Sequence, residues 1–197
     1  RFAGQPIPSL QGLLPDAPVI YVGTFSKTFY PGLRTAYMVL PRNLSESFRS
    51  AQMELYRGGH LLEQAALAEF MDSGQYAAHI RRMRLLYGAR RAHLIRLVEQ
   101  HLGPGWLHPW DSNAGLHLVL ALPPGVSDVQ VSAEAGRAGV LVRPLSQYYA
   151  GNEAPTGLLL GFACVAEEEM DKPLATLARC IGTRRGHLQT ATLKPTT

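Results

Sequence analysis

Apolar positions along this chain fall into two rhythms, short continuous runs and recurrences at three- and four-residue steps. Residues 1 to 18 are rich in Pro and Gly and predict loop. Val19-Ile20-Tyr21-Val22 is a wholly apolar run and predicts a strand in a sheet covered on both faces. Thr35 to Leu40 predicts a second buried strand, stopped by Pro41. Asn43 or Ser45 is placed to cap a helix over about Glu46 to Tyr56, which Arg57-Gly58-Gly59-His60 breaks. A further helix is expected from about Leu61 to Met71, with Gly74 as its stop. Then Ile80, Met83, Tyr87, Leu94, Val98 and Leu102 recur on one face, so Tyr76 to about Leu102 predicts one long helix. Its length exceeds that of an ordinary helix, which suits a connection between two lobes.

Beyond Gly103 the pattern alternates. Strands are expected over Leu116 to Leu122, Val140 to Val142 and Leu158 to Ala163, and helices over Val129 to Ala138 and Glu167 to Ile181. The last of these carries acidic residues in its first turn and Pro173 near its start, where proline is tolerated. The alternation predicts a compact α/β lobe. Thr183 to Thr197 is polar, with Gly186 and Pro195, and is expected to fray. No internal repeat is present in the sequence.

The candidate chemistry lies between the first two strands, in Gly23-Thr24-Phe25-Ser26-Lys27-Thr28, with Pro31-Gly32-Leu33-Arg34 behind it. A lysine amine becomes a nucleophile when it is desolvated or set beside another cation. Phe25, Phe29 and Tyr30 surround Lys27 in sequence, so partial desolvation is expected. Arg34 offers a repelling charge and a bidentate phosphate contact. Thr24 and Ser26 add hydroxyl donors, and Gly23 and Gly32 allow a close backbone approach to a ligand. The segment lacks the Gly-Lys-Ser/Thr order of a nucleotide P-loop. A plain strand-turn-strand with a solvated lysine is the alternative reading of the same residues.

Thr-Phe-Ser-Lys-Thr-x-x-Pro-Gly-Leu-Arg resembles the cofactor-lysine segment of fold-type I aminotransferases, which use pyridoxal 5′-phosphate (PLP). The stretch from Arg1 to Gly12 and the run Phe70-Met71-Asp72-Ser73-Gly74-Gln75-Tyr76 to Arg84 are similar to one branch of that superfamily. Ala114-Gly115-Leu116-His117-Leu118 is similar too, as are Gly139-Val140 to Tyr149 and Gly157 to Ala163. The branch is the MocR/GabR-type regulators, which join a GntR-like winged-helix DNA-binding domain to an aminotransferase-like module.

The resemblance implies an α/β, fold-type I PLP-dependent transferase-like fold. Residues 1–75 would form the C-terminal part of an incomplete large domain, and 76–182 the linker helix and a small α/β domain, followed by a tail over 183–197. Lys27 would hold the cofactor as an internal aldimine and move protons at the substrate Cα, while Thr24, Ser26 and Arg34 grip the phosphate. An amine or amino acid effector and a homodimer are implied, with DNA contacted only through a domain absent from this chain.

The remaining features narrow this picture. With 46% hydrophobic residues the chain can bury a core, and its net charge of +4 owes much to Arg81, Arg82, Arg84, Arg90, Arg91 and Arg96. No aromatic ladder interleaves these arginines, so they are read as a solvated or bridging face and not as a nucleic-acid surface. Cys164 and Cys180 do not make a disulfide scaffold, and a reducing cytoplasm is expected. No apolar run reaches membrane-spanning length, no signal peptide is evident, and the seven histidines form no His-x-x-x-His ligand pair. No Gly-x-Ser-x-Gly elbow is present either. His117, Tyr148 and Tyr149 are candidate pocket neighbours with ordinary core or loop roles as alternatives.

The chain also departs from the family. Leu159 fills the position of the family's carboxylate-clamping arginine, which weighs against amino-acid transamination. The ring-stacking residue and the aspartate facing the pyridine nitrogen would precede Arg1, so this chain alone is expected to be a poor catalyst with open sheet edges. The start at Arg1 suggests a piece of something longer. Three readings follow: a regulator's PLP-sensing module, a free-standing aminotransferase moving an amino group from an amino acid to a 2-oxo acid, and an inactive remnant.

Overall fold

The computed structural model describes residues 2, 5, 7–14, 17–108, 114–151 and 154–192, with backbone alone for 184–192. The chain divides into two units, Gly4–Arg84 and Leu85–Thr197, the second also taking in Phe2.

The first unit opens with a helical turn, α1 (Leu10–Leu13), where loop is expected; the Ser9 hydroxyl accepts from the Gly12 amide at 3.1 Å and caps it. Strands β1 (Tyr21–Thr24) and β2 (Ala36–Val39) pair antiparallel, with Tyr21 opposite Val39 and Thr24 opposite Ala36. They lie inside or just beyond the expected runs but, Gly23 apart, are exposed: Val22 is 63% and Met38 51% exposed. A sheet buried on both faces needs neighbouring strands and helices, and among the described residues β1 and β2 pair only with each other. The open edges anticipated from the sequence are therefore present.

Helix α2 (Ser45–Tyr56) follows a 3-10 turn over Arg42–Leu44. Neither Asn43 nor Ser45 caps it; the cap residue is Leu44, and the Ser45 hydroxyl turns back to donate to the Arg42 carbonyl at 2.8 Å. Arg57 and His60 take left-handed backbone conformations on either side of Gly58-Gly59, which ends α2 and starts α3 (Leu61–Asp72). Gly74, at φ 75°, makes the turn into α4 (Gln75–Leu102), the long helix expected, which continues into the second unit.

The second unit is a helix layer on a three-stranded antiparallel sheet. Its strands are β3 (His117–Ala121), β4 (Arg143–Pro144) and β5 (Gly157–Gly161), in the order β3-β5-β4. Helix α5 (Asp128–Arg137) lies between β3 and β4 in sequence, and α6 (Asp171–Thr192) follows β5. Leu118, Leu120, Leu158 and Leu160 alternate onto one buried face. They form one core with Leu94, Leu97 and Val98 of α4, Val131 and Ala135 of α5, and Leu174, Leu177 and Ile181 of α6.

Two expectations fail here for local reasons. Val140 to Val142 is not a strand: the Val140 amide donates to Ala135 and the Val142 carbonyl accepts from the Ser132 hydroxyl at 2.7 Å, so α5 takes these groups and the strand starts one residue later. The polar segment expected to fray is helical as far as Thr192, because α6, anchored by Leu174, Leu177 and Ile181, propagates past them. Residues 193–197 of that tail lie outside the described residues. Among the described residues no helix is long and apolar enough to cross a membrane.

Candidate functional site

The register of the β1/β2 hairpin assembles the candidate site. Thr24 stands opposite Ala36, and the ladder runs one step further, from the Phe25 amide to the Thr35 carbonyl at 3.2 Å. Residues 26 to 34 therefore close a loop whose two ends leave the ladder side by side, bringing Thr24 and Ser26 to the same end of the hairpin as Arg34. The Thr24 hydroxyl donates to the Ser26 hydroxyl at 3.1 Å and accepts from the Ser26 amide at 3.2 Å. One turn follows, closed by the Phe29 amide on the Phe25 carbonyl at 2.8 Å, with Lys27 at its centre.

Arg34 caps the 3-10 turn Pro31–Leu33 at φ 51°, ψ 26°. That is a left-handed conformation in which a side chain costs about 1 kcal/mol. Strain of this kind concentrates at ligand sites. Here it turns Arg34 out of the turn, while the Thr35 hydroxyl ties back to the Leu33 carbonyl at 3.0 Å.

Lys27 itself is exposed. The aromatic residues expected to desolvate it pack elsewhere. Phe25 is buried against Tyr37 and Tyr76, with ring centroids at 5.5 and 6.0 Å. Phe29 lies on Phe70 at 5.0 Å and edge-on to His79 at 5.6 Å. Tyr30 covers Gly32, where a Cβ would come within 2.5 Å of its ring. These rings hold the loop and leave its lysine free.

The loop is also pinned by a contact that sequence reasoning missed. The Tyr76 hydroxyl donates to the Thr28 hydroxyl at 2.9 Å, across 48 residues of chain. Phe70 and Tyr76 close the same aromatic cluster, with centroids 6.3 Å apart. The available signal was the aromatic pair on either side of Gly74 matching the pair Phe25 and Phe29. Behind the loop, Tyr21, Gly23, Thr24, Phe25, Thr28, Tyr37, Met71 and Tyr76 line an open cleft of about 420 Å³. Thr24 reaches this cleft, whereas Ser26, Lys27 and Arg34 are not among its lining residues. The hydrogen bond and charge of Tyr21 push the Tyr37 phenol above its ordinary value, with burial and Tyr76 adding to the effect.

The other candidates belong to the second unit. His117 is exposed, opposite Gly161 at the end of the β3/β5 ladder, and Tyr148 and Tyr149 are exposed beyond β4. Leu159 sits mid-sheet with Val119 on one side and Arg143 on the other. Asp128, which the sequence did not single out, is the buried polar residue among the described residues of this unit, 2% exposed. Its carboxylate accepts from the Val129 amide, the Ser146 amide and hydroxyl, and the Gly157 amide. Among the described residues no group of three or more His, Cys, Asp or Glu is placed to hold a metal ion.

Comparison with known proteins gives the family and the fold. Residues 2–177 match the model of the family Aminotransferase class I and II. The chain is 36% identical over 177 residues to the probable rhizopine catabolism regulatory protein MocR of Rhizobium meliloti, covering 90% of this chain and 36% of that protein. It is 31% identical over 184 residues to the pyridoxine biosynthesis transcriptional regulator PdxR of Corynebacterium glutamicum, covering 92% and 39%. It thus spans between a third and two fifths of the length of these curated relatives.

Among solved structures, the multiple substrate aminotransferase of Thermococcus profundus superposes with a TM-score of 0.83 at 23% identity, over 95% of this chain and 46% of that one. The α-aminoadipate aminotransferase LysN of Thermus thermophilus, complexed with N-(5′-phosphopyridoxyl)-L-leucine, gives 0.82 at 23%, over 94% and 48%. The fold is accordingly that of fold-type I aminotransferases, part of the large domain with the small one, and the chain belongs to the class I and II aminotransferase family.

Proposed function

We propose that this chain is the Lys27-bearing part of the aminotransferase-like module of a MocR/GabR-type transcription regulator, and that the module senses PLP or an amine effector. The observation that carries the reading is the hairpin loop that sets Thr24, Ser26, Lys27 and Arg34 on one short stretch of chain. Relatives named as a probable regulatory protein and as a transcriptional regulator, 36% and 31% identical over about nine tenths of the chain, support the regulatory side. The whole protein would be a cytoplasmic homodimer that meets DNA through a domain outside this chain. Its functional parts would divide at residues 75 and 182.

Pyridoxal phosphate is the cofactor of this family, and the donor set fits it: two hydroxyls, one guanidinium and an exposed primary amine on one loop. When bound, the cofactor supplies an electrophilic carbon for amines and a sink for electrons from the substrate Cα. The Thr24 and Ser26 hydroxyls would donate to its phosphate oxygens, and Arg34 would add a charge-assisted pair of hydrogen bonds. The Lys27 amine would hold the cofactor and carry the proton exchanged at the substrate Cα. Tyr76, through Thr28, keeps the turn carrying Lys27 in place.

Borohydride reduction of the PLP-treated protein followed by peptide mass spectrometry tests this. A phosphopyridoxyl group on Lys27 is expected; labelling at another lysine, or none, overturns the assignment. A broad amine panel then separates sensing from catalysis. Stoichiometric conversion of the cofactor to its amine form in the full-length protein would move the conclusion to a free-standing aminotransferase acting on amino acids and 2-oxo acids.

A further inference from the structure

The arginines of α4 fall into two groups that the sequence alone did not separate. Between Asp72 and Glu99 the chain carries six arginines, two histidines and no acid. Arg90, Arg91 and Arg96 lie in the second unit and are engaged there. Arg90 donates to the Ala163 carbonyl, Arg96 to His93 Nδ1 at 3.2 Å, and Arg91 is half-buried with contacts of its own. Arg81, Arg82 and Arg84 belong to the first unit and are exposed. Among the described residues their guanidinium groups have no hydrogen-bond or ion-pair partner. The reading as a solvated or bridging face therefore has to be tested for these three by themselves.

A helix face that merely meets water mixes both signs, and acids one turn away offset each cation. No position three or four residues from any of these three arginines is acidic. Arg81 and Arg84 face each other at that spacing, which weakens the helix. At 100° and 1.5 Å per residue, Arg84, Arg81 and Arg82 span about 160° of one side of α4 within about one turn. Half-buried Ile80 and Met83 take the other side. The exposed residues one turn earlier are Ala77 and Ala78, which put no bulky side chain in the way of an approaching chain. Three permanent charges thus stand together on a smooth, uncompensated surface.

We propose that Arg81, Arg82 and Arg84 form a sequence-independent contact surface for the phosphate backbone of duplex DNA. Guanidinium forks match phosphate oxygens two at a time. Backbone contacts to a duplex need charge and reach, not the aromatic ladder that single strands require. Several cations within one turn suit a partner whose charges repeat every few ångströms. An acidic protein segment is the other polyanion, but protein interfaces centre on apolar and aromatic anchors, and Ala77 and Ala78 offer none. DNA is at hand only if the chain belongs to a regulator, so the proposal rests on that reading; borohydride labelling of Lys27 and DNA binding fail separately.

The test is fluorescence anisotropy of the full chain with a labelled duplex of about 20 bp and arbitrary sequence, over about 20 to 200 mM salt. Saturable binding is expected at the low end, falling as salt rises. The triple variant Arg81→Gln, Arg82→Gln, Arg84→Gln should bind more than about tenfold more weakly at about 50 mM and lower the log–log salt slope by about 2 to 3. The matched variant Arg42→Gln, Arg49→Gln, Arg57→Gln removes the same charge from exposed arginines of the same unit and should lower the slope by less than about 1. Replacing Arg81, Arg82 and Arg84 by lysine should keep the slope, because counterion release follows charge. All these side chains are exposed, so the variants fold; unchanged far-UV circular dichroism checks this. No saturable binding by the parent, an equal loss in the matched variant, or a slope lost with lysine would each overturn the surface. Poly-glutamate displacing the duplex at an equal or lower concentration of charge would overturn the assignment to DNA and point to an acidic protein segment instead.

Discussion

Replacing Asp128 by Ala should unfold the second unit at markedly lower denaturant. Two of the groups it satisfies have no other role in the structure described: the Ser146 amide at 2.8 Å and the Gly157 amide at 3.3 Å, both on its Oδ2. Removing the carboxylate leaves these two N–H groups buried or half-buried without an acceptor, at about 1–3 kcal/mol each. The Ser146 hydroxyl can rotate to another partner, and the Val129 amide lies in the first turn of α5, where the Ser127 cap remains. The sum is about 4 kcal/mol, a large fraction of the roughly 5–15 kcal/mol that holds a domain folded.

Asp128→Asn keeps the shape and one acceptor but turns an NH2 toward donors, so it should cost about half as much. Tryptophan fluorescence in urea isolates the effect, because both tryptophans of the chain, Trp106 and Trp110, follow Leu85 in sequence. With a slope of about 2 kcal/mol per molar, Asp128→Ala should lower the midpoint by about 2 M. Exposed Glu168→Ala should stay within about 0.5 kcal/mol of the parent. A loss below about 1 kcal/mol for Asp128→Ala would refute the reasoning, since it would mean that neither amide depends on this carboxylate.

Two further outcomes are expected in the first unit. Arg34→Gly relieves a left-handed backbone, so its melting midpoint should hold or rise slightly while PLP affinity, read by absorbance titration, falls more than about tenfold; unchanged affinity would remove Arg34 from the phosphate site. Tyr76→Phe keeps the ring contacts with Phe25 and Phe70 but loses the bond to Thr28, so the Phe29 amide should exchange with deuterium about two- to tenfold faster. An unchanged rate would show that the rings alone hold the turn.

Most of the helices and the lysine loop were legible in the sequence because their signals are local. The long α4 announces itself through apolar residues at helical spacing, and Gly74 marks its start by the one backbone conformation glycine allows cheaply. The strand runs over Val19 to Val22 and Thr35 to Leu40 were also visible as strands. Their burial was not, because burial belongs to the neighbours a strand finds, and here β1 and β2 find only each other. Lys27 illustrates the same limit at the level of one side chain. Phe25, Phe29 and Tyr30 are adjacent to it in sequence, yet each ring turns toward a partner supplied from elsewhere in the chain or, for Tyr30, onto Gly32.

Asp128 is the sharpest case. In the sequence it reads as an acid at a helix start, as many exposed residues do. Its role depends on Ser146 and Gly157, 18 and 29 residues away, arriving at the same point. No spacing rule connects them. Gly157 is admitted to that point by its lack of a side chain, since a Cβ would stand 2.7 Å from the Leu120 carbonyl. The close approach of β5 to β3, the Gly157 amide on Asp128 and the turn that carries Tyr148 toward Arg143 are thus one arrangement. The part of the fold least readable from the sequence is the part that sets the geometry of the second unit's open sheet face.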